Sequence, residues 1–501
     1  MMMRRLLAGG LALALGAAAL LLVMRVHAAG QTLLATTLLG ISALALWTYT
    51  SVRTQALRYL FPGIAAALVF VIFPMLYTIG IGFTNYSSRN LLDPERVRAY
   101  LLEERVPAAG SAHAFSLHGA AGALRLQLVA PDGTRLVSPP LAAAAGELAL
   151  VAAPADLGPA LPLREVVPQL ERLRGLQLKT PAGAVLTLSS LREFTQQQPL
   201  YRAEADGALV DQVTGIRYRA DDREGFYTSA EGDRLQPGYR VNVGLRHYAT
   251  IFSDGQFREP FVSVFLWTIT FSALTVLFSA ALGLLLAVLL NWEALPFKGA
   301  YRLVLFLPYA VPGFISILVF KGLFNQNLGE INLILHGLFG IRPAWFSDPL
   351  LARAMLLIVN VWLGFPYMMV LCSGLIKSIP ADLYEASAVA GAGAWVNFTR
   401  ITLPLILKPL TPLLISAFAF NFNNFVLVSL LTGGRPDQLD TDLPAGTTDI
   451  LVSYTWRIAF GDSGQQFGLA SAISTVIFLI VAAITLVQMR FTRIAADEAR
   501  R

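Results

Sequence analysis

Apolar residues in this chain are gathered into long runs rather than spaced at amphipathic intervals. Runs near 6–24, 32–50, 60–83, 260–291, 301–325, 351–376, 410–432 and 468–490 are each long enough to span a bilayer, since a spanning helix needs about 20 mostly apolar residues. The pattern predicts a polytopic α-helical membrane protein with about eight spans. Arg4, Arg5, the first apolar run and Val26-His27-Ala28 also fit a cleavable signal peptide, although the run exceeds the usual h-region of about 7–15 residues. Either reading leaves the later topology unchanged.

Between the third and fourth runs, residues 84–258 switch to short alternating segments such as LRLQLVAPDGTRLVS, LQLKTPAGAVLTL and YRAEADGALVDQ. Asp-Gly or Ala-Gly between alternating apolar runs is hairpin chemistry, so this insertion is predicted to be β-rich. A helix near 164–175 interrupts it, shortened by Pro168. So large an insertion is either a scaffold or, as favoured here, a docking surface for an extracytoplasmic partner. The expected division is residues 1–83 (three spans), 84–258 (insertion) and 259–501 (five spans, with a cytoplasmic loop at 377–409).

Composition agrees with a membrane chain: 55% of the 501 residues are hydrophobic and 14% charged, against about 25% charged in soluble domains. Basic residues set the orientation. Arg4, Arg5, Arg53, Arg58, Lys298, Arg302, Lys377, Arg400, Lys408, Arg490, Arg493, Arg500 and Arg501 fall on one side if both termini are cytoplasmic. The opposite short loops hold fewer, chiefly Arg25, Arg342, Arg435 and Arg457. The net charge of +6 forms no basic cluster with interleaved aromatics, so nucleic-acid binding is not expected. The single cysteine, Cys372, excludes an internal disulfide.

Several chemistries are missing. There is no GxxxxGK[ST] phosphate loop, no GxSxG or HExxH, and the five histidines lack metal-ligand spacing. The interiors of the spans carry no Asp or Glu, the groups that mark ion relays. Neither a cofactor nor an enzymatic site is expected. Transport by such a chain would draw its energy from another subunit.

One span does carry polar groups. In SAFAFNFNNFVLVSLL (416–431), Ala417, Phe420, Asn421 and Asn424 stand at i, i+3, i+4 and i+7, on one helical face if the helix is continuous. Amides beside an aromatic suit a sugar's hydroxyls and ring; equally, asparagines bond helices together. LPYAVPG (307–313) and VWLGFPY (361–367) read as broken helices, the places where transporters build sites at mid-membrane. Together they favour a neutral polyhydroxylated ligand. The polar, Ala- and Gly-rich stretch EASAVAGAGAWVNFTRITLP (385–404) reads as a short helix capped by Asp382, ended by Gly391 and Gly393, and followed by a second helix from Trp395 that stops before Pro404. Glu385 is then either a capping carboxylate or a partner for a cation on another subunit.

In that stretch Glu385, Ala386, Gly391, Ile401 and Pro404 match the EAA…G…I-LP signature. The sequence resembles permease subunits of bacterial binding-protein-dependent ABC importers. WEALPFKGAYR, LPYAVPGFISIL, FKGLFNQNLGEIN, PAWFSDP, NVWLGFPYMM, KPLTPLLISAFAFNFNNF and TDILVSYTWRIAF narrow the likeness to maltose/maltodextrin permeases over about 225–501, with GYRVNVGLRHY alone clearly alike within the insertion. The resemblance implies an inner-membrane subunit without cofactors of its own. It would work with a second permease subunit, a cytoplasmic ATPase dimer and a periplasmic maltose-binding protein embraced by the insertion. It also implies that Glu385, Ala386, Gly391, Ile401 and Pro404 form the loop seated in the ATPase, with Glu385 in an ion pair. Sugar contacts would come from Tyr309, Leu363, Gly364, Tyr367, Phe420, Asn421 and Asn424. Three positions depart from the pattern: Ala390 where the signature commonly has Asp, and Gly313 and Ala417 where small hydroxyl residues line the site. A secondary carrier or exporter, and a receptor or scaffold, are the other classes considered. The missing intramembrane carboxylates and the large outer insertion weigh against the carrier and exporter.

Overall fold

The computed structural model describes residues 2–119, 124–141, 146–152, 157–292, 294–439, 441, 444–461 and 465–498. Side chains at 2–9, 11–12, 488–489 and 491–498 are not described, so Arg4, Arg5 and Arg493 contribute only backbone; Arg500 and Arg501 lie outside the described residues. The chain forms two compact units, one of residues 1–88 with 242–501 and one of residues 89–241.

The first unit is helical. Among the described residues, six helices are long and apolar enough to cross a membrane: Thr32–Thr50, Leu57–Ile81, Gly255–Asn291, Pro349–Lys377, Ala394–Phe422 and Phe467–Val487. A bent pair, Lys298–Ala310 with Gly313–Leu323, makes a seventh if counted as one span. The first apolar run forms the helix Met2–Ala28, which continues through the candidate cleavage site. A turn at Ala29 and Gly30 then reverses the chain so that Thr32–Thr50 packs back against it.

Gly255–Asn291 has 37 residues, a length of about 55 Å. That exceeds a hydrocarbon core of about 30 Å, so one helix reaches from interface to interface with residues to spare. Its Phe257, Phe261 and Val264 pack on Tyr454, Leu469 and Ile473. Farther along, its Trp267 and Phe271 join Met355, Val359, Leu427 and Val428 in a second core.

The contact with Pro349–Lys377 is close because it is built on glycine. A Cβ on Gly283 would lie 2.6 Å from Met368 Cβ and 2.7 Å from the Met369 backbone nitrogen. One on Gly364 would lie 2.9 Å from Ser279 Oγ. Small residues let helix backbones approach where no hydrophobic effect drives them together.

The second unit is β-rich. A nine-stranded sheet contains His113–His118, Arg125–Val129 and Glu193–Pro199 as neighbours, and a four-stranded antiparallel sheet runs from Tyr201 to Ser229. The Pro-Asp-Gly turn works as its chemistry demands. Gly133 takes φ +84°, open to glycine without a Cβ penalty, and Asp132 Oδ1 accepts the Thr134 N–H at 2.9 Å. Inward leucines of the large sheet bury completely, among them Leu117, Leu126, Leu128 and Leu178. The expected helix at 164–175 is present in pieces: Leu163–Val166 and Leu170–Arg174 flank a tight turn carrying Pro168.

Candidate functional site

The asparagine-bearing stretch is not one helix. Ala394–Phe422 ends at Phe422, and a new helix, Phe425–Leu431, starts after Asn424. The single face expected for Ala417, Phe420, Asn421 and Asn424 therefore does not exist. Three asparagines within four positions explain the break, because their amides compete for backbone groups. Asn423 Nδ2 bonds the Ala419 carbonyl at 3.3 Å, and Asn424 caps the new helix.

The break nevertheless gathers amides. Asn421 is buried, and its Oδ1 accepts from Asn360 Nδ2 at 2.8 Å. Asn360 Nδ2 also donates to Thr275 Oγ1 at 3.1 Å, and Asn360 Oδ1 accepts from Asn424 Nδ2 at 3.2 Å. Asn360 is thus the hub joining three helices and the Asn424 cap. It is absent from the sequence-derived set, yet a signal was available: Asn360, Leu363, Gly364 and Tyr367 stand at i, i+3, i+4 and i+7 of one helix.

That helix, Pro349–Lys377, is continuous through Pro366, so VWLGFPY is not broken as expected. Pro366 has no N–H to bond the Trp362 carbonyl. The buried contacts of Phe365, Met368 and Met369, with the glycine seam at Gly283, hold the helix on course. LPYAVPG does break. Val311 precedes Pro312, which forces it extended (φ −87°, ψ 131°), and the flanking helices meet at 90°. Tyr309 sits on the last turn before the break.

The aromatic candidates present open faces: Tyr309 is 57% exposed, Tyr367 42% and Phe420 72%. Neither the Tyr309 nor the Tyr367 hydroxyl has a hydrogen-bond partner among the described residues. Leu363 is half-buried, and Gly364 packs on Ser279. A Cβ on Gly313 would meet nothing within 4 Å.

Behind the asparagines, the loop after Phe425–Leu431 is locked by charge. Asp449 is fully buried and accepts from Arg457 (2.8 Å), Ser453 Oγ (2.7 Å) and the Gly446 N–H (2.8 Å). Burial pushes the Asp449 carboxyl up, against the pull of Arg457 and these donors. Desolvation opposes the Arg457 charge, but Asp449 and Asp437 outweigh it and raise its pKa. Removing one partner of such a pair would strand a buried charge.

At the loop of residues 377–409, Ala381–Val389 is a helix begun by Pro380, with Asp382 in its first turn rather than at the cap. Pro380 has no N–H, so no reciprocal cap with Glu385 can form. Asp382 instead complements the helix dipole. The helix ends as Gly391 predicts. With φ +74° there, the Gly391 N–H bonds the Ala388 carbonyl and the Ala392 N–H bonds the Ser387 carbonyl.

The second helix does not stop before Pro404. A widened turn over Asn397–Thr402 absorbs the missing N–H, and the helix runs on to Phe422. Tyr384 bonds Thr402 at 2.9 Å and Ser387 bonds Asn397, tying the first helix to the second. Glu385 and Ala386 are exposed, Ile401 is half-buried, Pro404 is exposed, and Glu385 makes no ion pair among the described residues. Leu383, Val389 and Trp395 on the same loop are exposed apolar residues.

Residues 92–244 match the Maltose transport system permease protein MalF P2 domain, and residues 279–500 match the Binding-protein-dependent transport system inner membrane component. The chain is 47% identical over 489 residues to the maltose/maltodextrin transport system permease protein MalF of Yersinia pestis, covering 95% of this chain and 92% of that protein. The MalF of Klebsiella aerogenes is 48% identical over 486 residues, covering 95% and 94%. The chain belongs to the MalF permease family. Among solved structures, a bacterial ABC transporter involved in import of the acidic polysaccharide alginate aligns at 25% identity with a TM-score of 0.44. That alignment covers 50% of this chain and 83% of that one. As a MalF-family member the chain is a multi-pass permease subunit of a bacterial ABC importer, with the β-rich insertion near residues 92–244.

Proposed function

We propose that the chain imports maltose- or maltodextrin-type sugars across the inner membrane, with both termini cytoplasmic. In this reading a second permease subunit completes the path, a cytoplasmic ATPase dimer supplies the energy, and a periplasmic sugar-binding protein docks on the insertion. The observation that carries the substrate class is the neutral amide cluster of Asn360, Asn421 and Asn424 with open-faced Phe420 and Tyr367 on the same helices. Amides both donate and accept, as sugar hydroxyls do, and aromatic faces stack on pyranose rings. Tyr309, Leu363 and Gly364 complete the site. Gly313 and Ala417 leave fewer hydroxyls for the sugar than the family pattern has.

Coupling follows from continuity. The loop of Glu385, Ala386, Gly391, Ile401 and Pro404 seats in the ATPase, with Glu385 paired to a cation there. Tyr384 and Ser387 transmit its movement to the helix Ala394–Phe422, whose far end carries Phe420 and Asn421. From Trp395 to Asn421 that helix is about 39 Å long, so a displacement at the ATPase reaches the sugar through one element. Closure of the ATPase dimer on ATP would turn the helices around the site, giving alternating access.

The test is sugar-dependent ATP hydrolysis and uptake by the reconstituted complex. Asn421→Ala is expected to weaken sugar response about five- to tenfold, the worth of one net hydrogen bond, with assembly intact. Glu385→Ala is expected to uncouple or disassemble the complex. Ion-driven uptake by the chain alone, or a Glu385→Ala variant with assembly and coupling both unchanged, would overturn the reading.

A further inference from the structure

Outside the amide cluster, the helices Gly255–Asn291 and Pro349–Lys377 enclose a second feature. Their outward surface forms an open cleft of about 480 Å³, walled by Leu266, Trp267, Leu274, Leu350 and Leu357, with Arg353 its one charged residue. A second cleft of about 490 Å³ shares Ala354 and Leu357 with the first and continues along the same helices to Leu282. From Leu266 to Leu282 the two cover about 24 Å of helix, longer than the roughly 15 Å depth of one leaflet's hydrocarbon.

Arg353 is the unusual group. Its guanidinium lies 4.7 Å from the centroid of the Trp267 ring, and its Nε donates to the Thr447 carbonyl at 2.8 Å. Those two contacts fix its position but leave its charge unneutralised: it makes no ion pair, and its terminal nitrogens make no hydrogen bond, among the described residues. An uncompensated cation on a spanning helix is costly and calls for a partner. Arg353 stands about one turn into Pro349–Lys377, near the end of a spanning helix and so near the headgroup level. A planar fork of donors matches a phosphate diester, and the wall beneath it is apolar for the depth of an acyl chain.

We propose that this cleft is a binding site for an anionic glycerophospholipid, its phosphate against Arg353 and one acyl chain along Leu266, Leu274 and Leu357. The occupant is a lipid rather than a soluble phosphate because the cleft below the cation is almost wholly apolar and open along its length. A net negative headgroup is selected over a zwitterionic one because no carboxylate pairs with Arg353 among the described residues.

The experiment is native mass spectrometry of the full-length chain released from mixed micelles of phosphatidylglycerol and phosphatidylcholine with matched acyl chains. Wild type is expected to retain one phosphatidylglycerol in preference. Arg353→Gln should weaken its retention about fivefold, the value of one basic residue at a lipid surface, without changing phosphatidylcholine; Arg353→Lys should keep the preference. Ala354→Trp keeps the charge of Arg353 but fills the cleft beside it and should also expel the anionic lipid. Equal loss of both lipids in Arg353→Gln would mean that the bond to Thr447 merely ties the helix to the loop, and would overturn the proposal. Unchanged retention in Arg353→Gln or in Ala354→Trp would do the same. So would disappearance of the lipid when the complete importer is measured, since the cleft would then be a seam between permeases.

Discussion

Replacing Asn360 by leucine tests the centre of the site. The two side chains branch alike with the same number of heavy atoms, leucine being the bulkier, so the change removes polarity without opening a cavity. It deletes three interhelical hydrogen bonds, of 2.8, 3.1 and 3.2 Å. Within membranes such bonds average about 0.6 kcal/mol, so their joint loss is about 2 kcal/mol. Asn421 keeps its bond to the Ala417 carbonyl at 2.8 Å, which limits the damage there. The full-length chain in detergent should unfold about 2 °C lower, because the shift shrinks with chain length to about 1 °C per kcal/mol here. Thr275→Val, which removes one of the three bonds, should cost only about 0.6 kcal/mol. In the reconstituted complex, Asn360→Leu should raise the sugar concentration giving half-maximal ATPase stimulation about tenfold and spare basal hydrolysis. A variant that unfolds earlier but responds to sugar like wild type would refute the reasoning: the amides would then be interhelical glue, and the sugar would bind elsewhere.

Two further outcomes follow from geometry. Gly283→Ala should destabilise the full-length chain by about 1–2 kcal/mol in thermal unfolding, because the new Cβ would meet Met368 and the Met369 backbone. Gly374→Ala, on the partner helix with nothing within 4 Å, should be neutral or stabilising by up to about 1 kcal/mol, and equal shifts for both would sink the close-packed seam. In the β-rich unit, burial first and then Glu104 and Asp211 push the Tyr201 hydroxyl up to about 12. Burial and its hydrogen bond to Asp222 push Tyr239 up as well. Both stay protonated in the fold after an unfolded chain would ionise. The stabilising contribution of Tyr201 is therefore complete below about pH 10 and lost as pH rises through about 12, and that of Tyr239 is lost in the same direction. Ultraviolet titration should show late tyrosinate absorbance that Tyr201→Phe and Tyr239→Phe each reduce, and ionisation of all tyrosines near pH 10 would contradict it.

What could be read from the sequence divides by the range of the interaction. The membrane runs, the Pro312 break and the Gly391 helix end were legible because covalent geometry settles them within a few residues. Val311 has little choice before a proline, and Gly391 can adopt a left-handed turn at no steric cost. The errors lie where a distant partner outvotes a local signal. Pro366 reads as a break, but Gly283 lets the opposing helix press on Met368 and Met369 and keeps the helix whole. Pro404 reads as a stop, but a widened turn anchored by Tyr384 and Ser387 carries the helix past it. Asn360 escaped notice for the same reason. Its spacing with Leu363, Gly364 and Tyr367 puts it on their face, but its partners, Thr275, Asn421 and Asn424, are at least 61 residues away and converge on it only in the fold. Of the two corrected prolines, Pro404 lies on the helix of the proposed coupling path. A proline that bends rather than breaks leaves a rigid element with one fewer internal hydrogen bond. That is the property a helix needs if it is to turn as a unit between loop and site.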